Sequence, residues 1–243
     1  MNPKLTKFLG LFALLILPTA IYIFFTTGKH NMISLPYYGM KIPTTKVVDG
    51  KEVVDTIYHQ VPPFEFVNQL GDTITEKTFE NKIYVANFFF TTCPTICPKM
   101  NAQMLRAQQK LADFKQVMFL SHTVDPETDD VETLFEYSKL VHADNERWHL
   151  VTGDKQKIYE QGVKGYLVST QEDALAPGGF LHSELLILID QNRNIRGFYD
   201  GTSVVEVNRL IDEVKVLIAD SMVDRKSRGK KEKQNKITKK PNV

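Results

Sequence analysis

Two cysteines dominate the chemistry that this 243-residue sequence can offer, and they lie together in Phe-Phe-Phe-Thr-Thr-Cys-Pro-Thr-Ile-Cys-Pro as Cys93 and Cys97. An apolar run at residues 83–90 ends just before them, and a helical pattern begins just after, with Pro98 in its first turn. Amide groups at a helix N-terminus stabilise negative charge, so both thiols are expected to have lowered pKa values. Two thiolates four positions apart can bind one soft metal ion or close a disulfide, which predicts metal or redox chemistry.

A Cu(II) site would need a third ligand besides the two thiolates. Six histidines compete for that role: His30, His59, His122, His142, His149 and His182. His142 and His149 lie among charged residues and are expected at the surface, whereas His122 lies in an apolar run that predicts burial. His182 follows a Pro-Gly-Gly loop and precedes an apolar strand, and loops on rigid scaffolds often carry ligands. Position makes His182 a candidate but does not decide between it and the other histidines.

The strands that must position these residues are predicted from apolar runs and alternating patterns. They cover residues 64–67, 83–90, 117–123, 149–152, 184–189 and 195–199, and an earlier hairpin turns at Asp49-Gly50. Five polar residues, 190–194, separate the last two strands, too few for a parallel crossover, so these strands are expected to form an antiparallel hairpin.

Helical patterns lie between the strands. One has an apolar face made of Met100, Met104, Ala107, Leu111 and Phe114. Its spacing favours packing of the two methionines in the core over service as thioether ligands. Ser203 and Glu206 form a capping-box pattern that begins a last amphipathic helix. Parallel βαβ units, then a hairpin, then a helix predict an α/β fold, a thioredoxin-like sheet flanked by helices.

Three motifs in this order, FFFTTCPTICP, VDPETD and FLHSELLILID, follow an apolar N-terminal segment. Their combination resembles the Sco/SenC family of thioredoxin-fold copper chaperones for cytochrome c oxidase assembly, over roughly residues 62–223. The resemblance implies that Cys93, Cys97 and His182 bind copper, as Cu(I) or Cu(II), and suggests that Asp125 lies near the metal. The alternative is that Asp125 only begins the Asp-Pro turn before the next helix. Thr95 departs from the pattern, because many relatives have an acid between the cysteines. Loss of that charge is expected to shift copper affinity and reduction potential.

The resemblance implies that the protein delivers copper to the dinuclear copper centre of cytochrome c oxidase. It favours a metallochaperone over an enzyme. The expected partners are the copper-bearing oxidase subunit and a thioredoxin-like reductant that keeps Cys93 and Cys97 from forming a disulfide. A thiol–disulfide reductase acting on that subunit is the main alternative, with Cys93 as nucleophile. A peroxidase is disfavoured because Arg106 lies on a helix surface, and a structural assembly factor would not need the cysteines. No nucleotide-binding glycine motif occurs, and no nucleic-acid partner is expected.

Charge is distributed unevenly behind a net value of +1, from 30 basic and 29 acidic residues. Residues 224–243 contain nine basic and two acidic side chains, and residues 27–223 carry about −8. This basic tail lacks apolar residues and is expected to be disordered. With 42% hydrophobic residues, the rest has ample material for a core, which excludes general disorder.

The N-terminal segment at residues 8–26 contains no charged side chain and, as a helix, would be about 28 Å long, close to one hydrocarbon core. It predicts an uncleaved transmembrane helix over the alternative of a signal peptide, because the segment ends in Ile-Phe-Phe-Thr-Thr-Gly-Lys, a poor cleavage site. Lys4 and Lys7 favour a cytoplasmic N-terminus. The expected location is a bacterial cytoplasmic membrane, with the folded part facing the periplasm or cell exterior. The expected organisation is 1–26 N-terminus and anchor, 27–61 stalk and extra β-hairpin, 62–223 thioredoxin-like copper-binding domain, and 224–243 tail.

Overall fold

The computed structural model describes residues 12, 16–19, 34–48, 51–168, 170–172 and 180–238, and for 48, 51, 170–172, 180–182 and 223–238 the backbone alone. The chain divides into two units, Met1–Ile33 and Ser34–Val243. In the first unit, residues 12 and 16–19 are helical. Among the described residues, no helix has both the length and the apolar character of a membrane span. The predicted anchor at residues 8–26 lies mostly outside the described residues and stays a prediction.

Eleven strands occur in the described part of the chain. They are β1 (Lys41–Val48), β2 (Lys51–Tyr58), β3 (Glu65–Asn68), β4 (Thr73–Thr75), β5 (Ile83–Phe89), β6 (Val117–Thr123), β7 (Trp148–Thr152), β8 (Thr170–Glu172), β9 (Phe180–His182), β10 (Leu185–Ile189) and β11 (Ile195–Asp200). Seven of them form one sheet in the order β11-β10-β5-β6-β7-β3-β4. β5 pairs in parallel with β6, and β6 with β7, while the remaining pairs in this sheet are antiparallel. The predicted parallel centre and closing hairpin are therefore confirmed.

The two central strands explain where the core lies. Every residue of β5 and β6 is buried, because helices or loops cover both faces of the sheet. This is the burial that a continuously apolar strand predicts. Some of the polar groups there are paired: Ser121 donates to Asn87 Oδ1 at 2.6 Å, and Trp148 Nε1 donates to Ser121 Oγ at 2.8 Å. Asn87 Nδ2 and His122 Nδ1 have no hydrogen-bond partner among the described residues.

Four α-helices are described in the second unit: α1 (Ile96–Lys110), α2 (Val131–Leu140), α3 (Lys155–Glu160) and α4 (Val204–Thr238). A π-helical turn, Gln161–Gly165, extends α3, and a 3₁₀ turn, Glu76–Phe79, follows β4. Asp130 and Asp154 cap α2 and α3 by accepting hydrogen bonds from backbone N–H groups in the first turn. Met100 and Met104 of α1 are fully buried, as their spacing predicts.

The last helix covers the sheet and then continues beyond the core. Its predicted apolar stripe is buried along its whole length: Val207, Leu210, Ile211, Val214, Leu217 and Ile218. The helical backbone runs on to Thr238, whereas disorder is the expectation for 224–243. Lys, Arg, Glu and Gln have high helix propensity, and Pro241 is the first proline after α4 begins, so the local sequence is compatible with a long helix despite Gly229.

Two small hairpins stand apart from the main sheet. β1 and β2 pair antiparallel on either side of residues 49–50, where the sequence predicts a turn. β8 and β9 pair antiparallel and were not predicted, because each strand has only three residues. The segment before β1 is held by the buried Arg196, which donates to the carbonyls of Leu35 and Pro36 and pairs with Asp190 at 2.9 Å.

Candidate functional site

The cysteine pair lies where β5 ends and α1 begins. The Cys93 N–H donates to the Phe90 carbonyl at 3.2 Å, which closes a tight turn after the strand. Cys97 is the second residue of α1 and is fully buried, while Cys93 retains 7% of its accessible surface. Both cysteines are free thiols, and their side chains are close enough to hydrogen bond to each other. The predicted strand-to-helix placement is confirmed.

The two thiols differ in acidity, which corrects the expectation that both pKa values would be lowered. Burial opposes ionisation of Cys93, but three backbone N–H groups at the start of α1 and the Cys97 thiol outweigh it, so the Cys93 pKa is lowered. Burial raises the pKa of Cys97 well above the ordinary thiol value, and the proximity of Cys93 raises it further. The helix N-terminus therefore serves Cys93 alone. Thr95 at the N-cap makes no side-chain capping bond, so the backbone donors stay available to the Cys93 sulfur.

A buried carboxylate holds the segment just before the cysteines. Asp129, 1% exposed, accepts hydrogen bonds from the Thr91 backbone N–H at 3.1 Å and from the Thr91 hydroxyl. It also accepts from the Thr123 hydroxyl at the end of β6, at 2.5 Å. Burial raises the pKa of Asp129, although the hydrogen bonds from Thr123 and Thr91 act in the opposite direction. Sequence reasoning missed this residue, although it lies in the same VDPETD motif as Asp125.

Asp125, the predicted neighbour of the metal, is 8% exposed and belongs to the same network. Its N–H donates to Thr123 Oγ1 at 3.0 Å, and its carbonyl accepts from the Asp129 N–H at 2.9 Å. Tyr137 of α2 borders the site from another side. Burial raises its pKa, and its charge interacts with those of both cysteines. Its hydroxyl accepts a hydrogen bond from Asn101 at 2.7 Å.

His182 is the last residue of β9, and its backbone pairs with Thr170 of β8. Its side chain lies outside the part of the chain that is described. The register of β10 against β5, in which Ile187 pairs with Ala86, runs antiparallel. The residues that precede β10 therefore lie at the end of the sheet where β5 leads into Cys93. The described side chains contain no group of three or more His, Cys, Asp or Glu that could hold a metal ion.

Three of the other described histidines, His59, His122 and His149, pack or hydrogen bond within the fold. His122 is fully buried, as predicted, and burial lowers its pKa to about 3. His149 is also buried, against the surface expectation, because β7 lies inside the sheet and the ring packs edge-on to Phe79. His59 hydrogen bonds to the Gly165 carbonyl at 2.8 Å, and His142 is exposed after α2. His30 lies outside the described residues.

Arg106, considered as a possible partner of a peroxidatic thiolate, faces the last helix instead. Its guanidinium donates to Asn208 Oδ1 at 2.6 Å and to the Val204 carbonyl at 3.2 Å. It therefore links α1 to the start of α4. This placement agrees with the helix-surface position that the sequence predicts.

The sheet is flanked by helices, and its central strand β5 leads into a pair of free thiols at a helix N-terminus. This arrangement is a thioredoxin-like fold with a dithiol site. The model of the SCO1/SenC family matches residues 55–219. Because that match covers more than half of its length, the chain belongs to the SCO1/SenC family. The resemblance found in the three sequence motifs is thereby confirmed.

Solved structures agree with this assignment. A SCO1/SenC family lipoprotein from Bacillus anthracis is 30% identical, with a TM-score of 0.61 over 66% of this chain and 95% of its own. BsSco, a member of the Sco family of cytochrome c oxidase assembly proteins with a disulfide switch, is 27% identical, with a TM-score of 0.59 over 65% and 93%. Arabidopsis thaliana ScoI, crystallised with copper bound, is 27% identical, with a TM-score of 0.55 over 65% and 98%.

Proposed function

We propose that this protein is a copper metallochaperone that binds copper through Cys93, Cys97 and His182. The observation that carries the proposal is the pair of free thiols in mutual contact at the start of α1. Thiolates are soft ligands that suit Cu(I), and neutral imidazole suits copper in either oxidation state. The donor set therefore fits copper, and the copper-bound structure of the relative ScoI supports this choice of metal.

Each ligand has a distinct role in this proposal. The pKa of Cys93 is lowered and that of Cys97 is raised, so Cys93 forms its thiolate more readily and is the first ligand to engage the incoming ion. Cys97 loses its proton as the metal binds, because a coordinating thiol is deprotonated. His182 is the proposed third ligand, and it precedes β10, whose first residues lie at the end of the sheet where β5 leads into Cys93. A three-coordinate site leaves one side open, so a thiolate of the receiving protein can enter before the first bonds break.

The proposed recipient is the copper-bearing subunit of cytochrome c oxidase, at its dinuclear copper centre, because the relative BsSco belongs to a family of oxidase assembly proteins. Formation of a Cys93–Cys97 disulfide removes two ligands, so a thioredoxin-like reductant must act before loading. We place the protein in a bacterial cytoplasmic membrane, anchored by residues 8–26, with its folded domain facing the periplasm or cell exterior.

Copper titration of the reduced protein tests the ligand set. The expected result is close to one copper per chain, severe loss in Cys93→Ser and His182→Ala, and no change in His142→Asn, which alters an exposed histidine. Asparagine suits the control because His142 has a φ of 54°. Full Cu(II) binding by His182→Ala, with an unchanged absorption spectrum, would show that His182 is not a ligand.

A thiol–disulfide reductase that keeps the oxidase-subunit cysteines reduced is the second candidate. The contrast between the two thiols favours it, because Cys93 retains 7% of its accessible surface and has a lowered pKa, whereas Cys97 is fully buried and has a raised pKa. This difference matches an attacking and a resolving thiol. Copper affinity and the rate of reduction of a test disulfide, measured on one preparation, separate the two. Weak copper binding with fast disulfide reduction favours the reductase, and tight binding with slow reduction favours the chaperone.

Oxidase activity in a deletion strain addresses the role in the cell. Rescue of the strain by added copper is expected if the protein delivers the metal. Failure of copper to rescue, together with rescue by a membrane-permeant thiol reductant, would instead support the reductase.

A further inference from the structure

Asp129 is buried beside the dithiol, yet no ligand role is assigned to it. Its carboxylate receives three hydrogen bonds, and all of them come from two threonines. Thr91 precedes Cys93 by two residues, and Thr123 ends β6. Because Asp129 itself follows β6, it joins the segment that carries Cys93 to a neighbouring strand end. A buried carboxylate is costly unless its hydrogen-bonding capacity is used, which makes this link unlike a surface contact.

Further hydrogen bonds hold the residues around Asp129 in place. Thr123 Oγ1 donates to Asp129 and accepts from the Asp125 N–H at 3.0 Å, so its hydroxyl is held from both sides. The Asp129 N–H donates to the Asp125 carbonyl at 2.9 Å, which fixes the turn that presents the carboxylate. β5 and β6 are held in register up to Phe89 and Thr123, and the Val124 N–H continues that pairing by donating to the Phe89 carbonyl at 2.8 Å. The anchor point for Thr91 is therefore rigid.

We infer that Asp129 is a positioning residue for the dithiol: by holding Thr91 against the end of β6, it fixes the segment before Cys93 in the arrangement in which both thiols are free. Thr91 donates two hydrogen bonds to one carboxylate, one from its backbone N–H and one from its hydroxyl, so both the backbone path and the side-chain rotamer of this residue are set. The free-thiol arrangement is the one that can accept a metal ion. This inference deepens the proposed function and rests on the same site.

The effect of Asp129 falls on the equilibrium between dithiol and disulfide. The three hydrogen bonds exist in the free-thiol form. Without these hydrogen bonds, the free-thiol form is less stable, and the segment before Cys93 can more easily adopt the geometry that a disulfide requires. Removing the carboxylate is therefore expected to favour the disulfide.

Equilibration with glutathione tests this in the absence of metal. In that reaction Cys93 and Cys97 transfer two electrons and two protons to glutathione disulfide, which yields one protein disulfide and two glutathione thiols. The variants are Asp129→Asn, which keeps the shape but removes the charge and one acceptor, Thr91→Val, which removes only the hydroxyl, and the double variant. Asp130→Asn is the matched control, because Asp130 is adjacent and exposed and asparagine also caps helices well.

The equilibrium constant for disulfide formation is expected to rise about fivefold or more in Asp129→Asn and in Thr91→Val. In the double variant it should rise by less than the product of the two single increases. Such non-additivity identifies residues that act through one contact. Asp130→Asn should stay within about twofold of the parent protein. The fluorescence of Trp148, the single tryptophan, reports whether each variant is folded.

Two results would overturn the inference. One is an unchanged equilibrium in folded Asp129→Asn or in Thr91→Val, and Thr91→Val decides alone if Asp129→Asn does not fold. The other is a double variant whose shift equals the product of the single shifts, because Asp129 would then act independently of Thr91. Since the readout needs no copper, failure here leaves the copper titration and the proposed function intact, and failure of copper binding leaves this measurement valid.

Discussion

Replacing His122 with phenylalanine should make the protein less sensitive to acid. The His122 ring is fully buried in β6, where it stacks on Phe88 at 5.1 Å and meets the Phe66 ring edge-on at 5.3 Å. Burial lowers its pKa to about 3, whereas a histidine in the unfolded chain titrates near pH ~6.5. At pH 5 the folded protein therefore keeps His122 neutral, while the unfolded chain takes up a proton and is stabilised by it.

The size of the effect follows from these two pKa values. Because the pKa in the folded state is depressed, stability is retained above pH ~6.5 and is lost as the pH falls from there toward 3. Between pH 7 and pH 5 the free energy of unfolding should fall by about 2 kcal/mol through His122 alone. Burial also lowers the pKa of His149, but that contribution is common to the parent protein and the variant and cancels in their comparison.

Phenylalanine suits the site because the surrounding rings are aromatic. The substitution removes one hydrogen bond, between His122 Nε2 and the Tyr166 hydroxyl at 3.3 Å. It also removes Nδ1, which has no hydrogen-bond partner among the described residues. Stability at pH 7 is therefore expected to change modestly. The test is the change in the free energy of unfolding between pH 7 and pH 5.

Urea unfolding followed by Trp148 fluorescence measures the effect, because this single tryptophan is fully buried in the native state. The free energy of unfolding should fall between pH 7 and pH 5 by about 2 kcal/mol less in His122→Phe than in the parent protein. The control His142→Asn changes an exposed histidine and should retain the parent's pH dependence. Equal losses in His122→Phe and the parent protein would refute the claim that His122 stays neutral in the folded state.

Three further predictions concern the thiols, the stalk and the last helix. Brief iodoacetamide treatment of the reduced protein at pH 7 should label Cys93 about tenfold or more faster than Cys97, since Cys93 is more acidic and more exposed; equal labelling by mass spectrometry would contradict this. Arg196→Met should lower the free energy of unfolding by about 3–5 kcal/mol, because it leaves Asp190 buried without its partner; a loss below about 1 kcal/mol in urea unfolding would argue against a dry ion pair. Leu210→Ala should cost about 2–5 kcal/mol in the same assay, and a negligible loss would mean that α4 does not seal the core.

Much of the fold could be predicted from local pattern. β5 and β6 are apolar along their whole length because both of their faces are covered, and such runs are visible in the sequence. The stripe of α4 repeats at helical spacing for the same reason. The hairpins β8–β9 and β3–β4 were missed in whole or in part, because β4, β8 and β9 have three residues each and too few positions to show a period.

The candidate site was predictable in part. The cysteine pair was found because both thiols lie in one short segment between a strand and a helix pattern. Their difference in pKa was not found, because it depends on how deeply each thiol is buried and on which sulfur the helix N–H groups face. His149 was expected at the surface for a similar reason: the neighbours of β7 in the sheet are distant in sequence.

By itself, the sequence determined the apolar strands, the amphipathic helices and the cysteine pair at their junction, since each is a property of consecutive residues and follows from hydrophobic burial and local backbone geometry. The tertiary structure alone decided which groups meet at that junction. It brings Asp129 to Thr91 across 38 positions of sequence and gives the donors of α1 to Cys93 while it buries Cys97. These relations depend on the order and register of the strands, which no local pattern encodes.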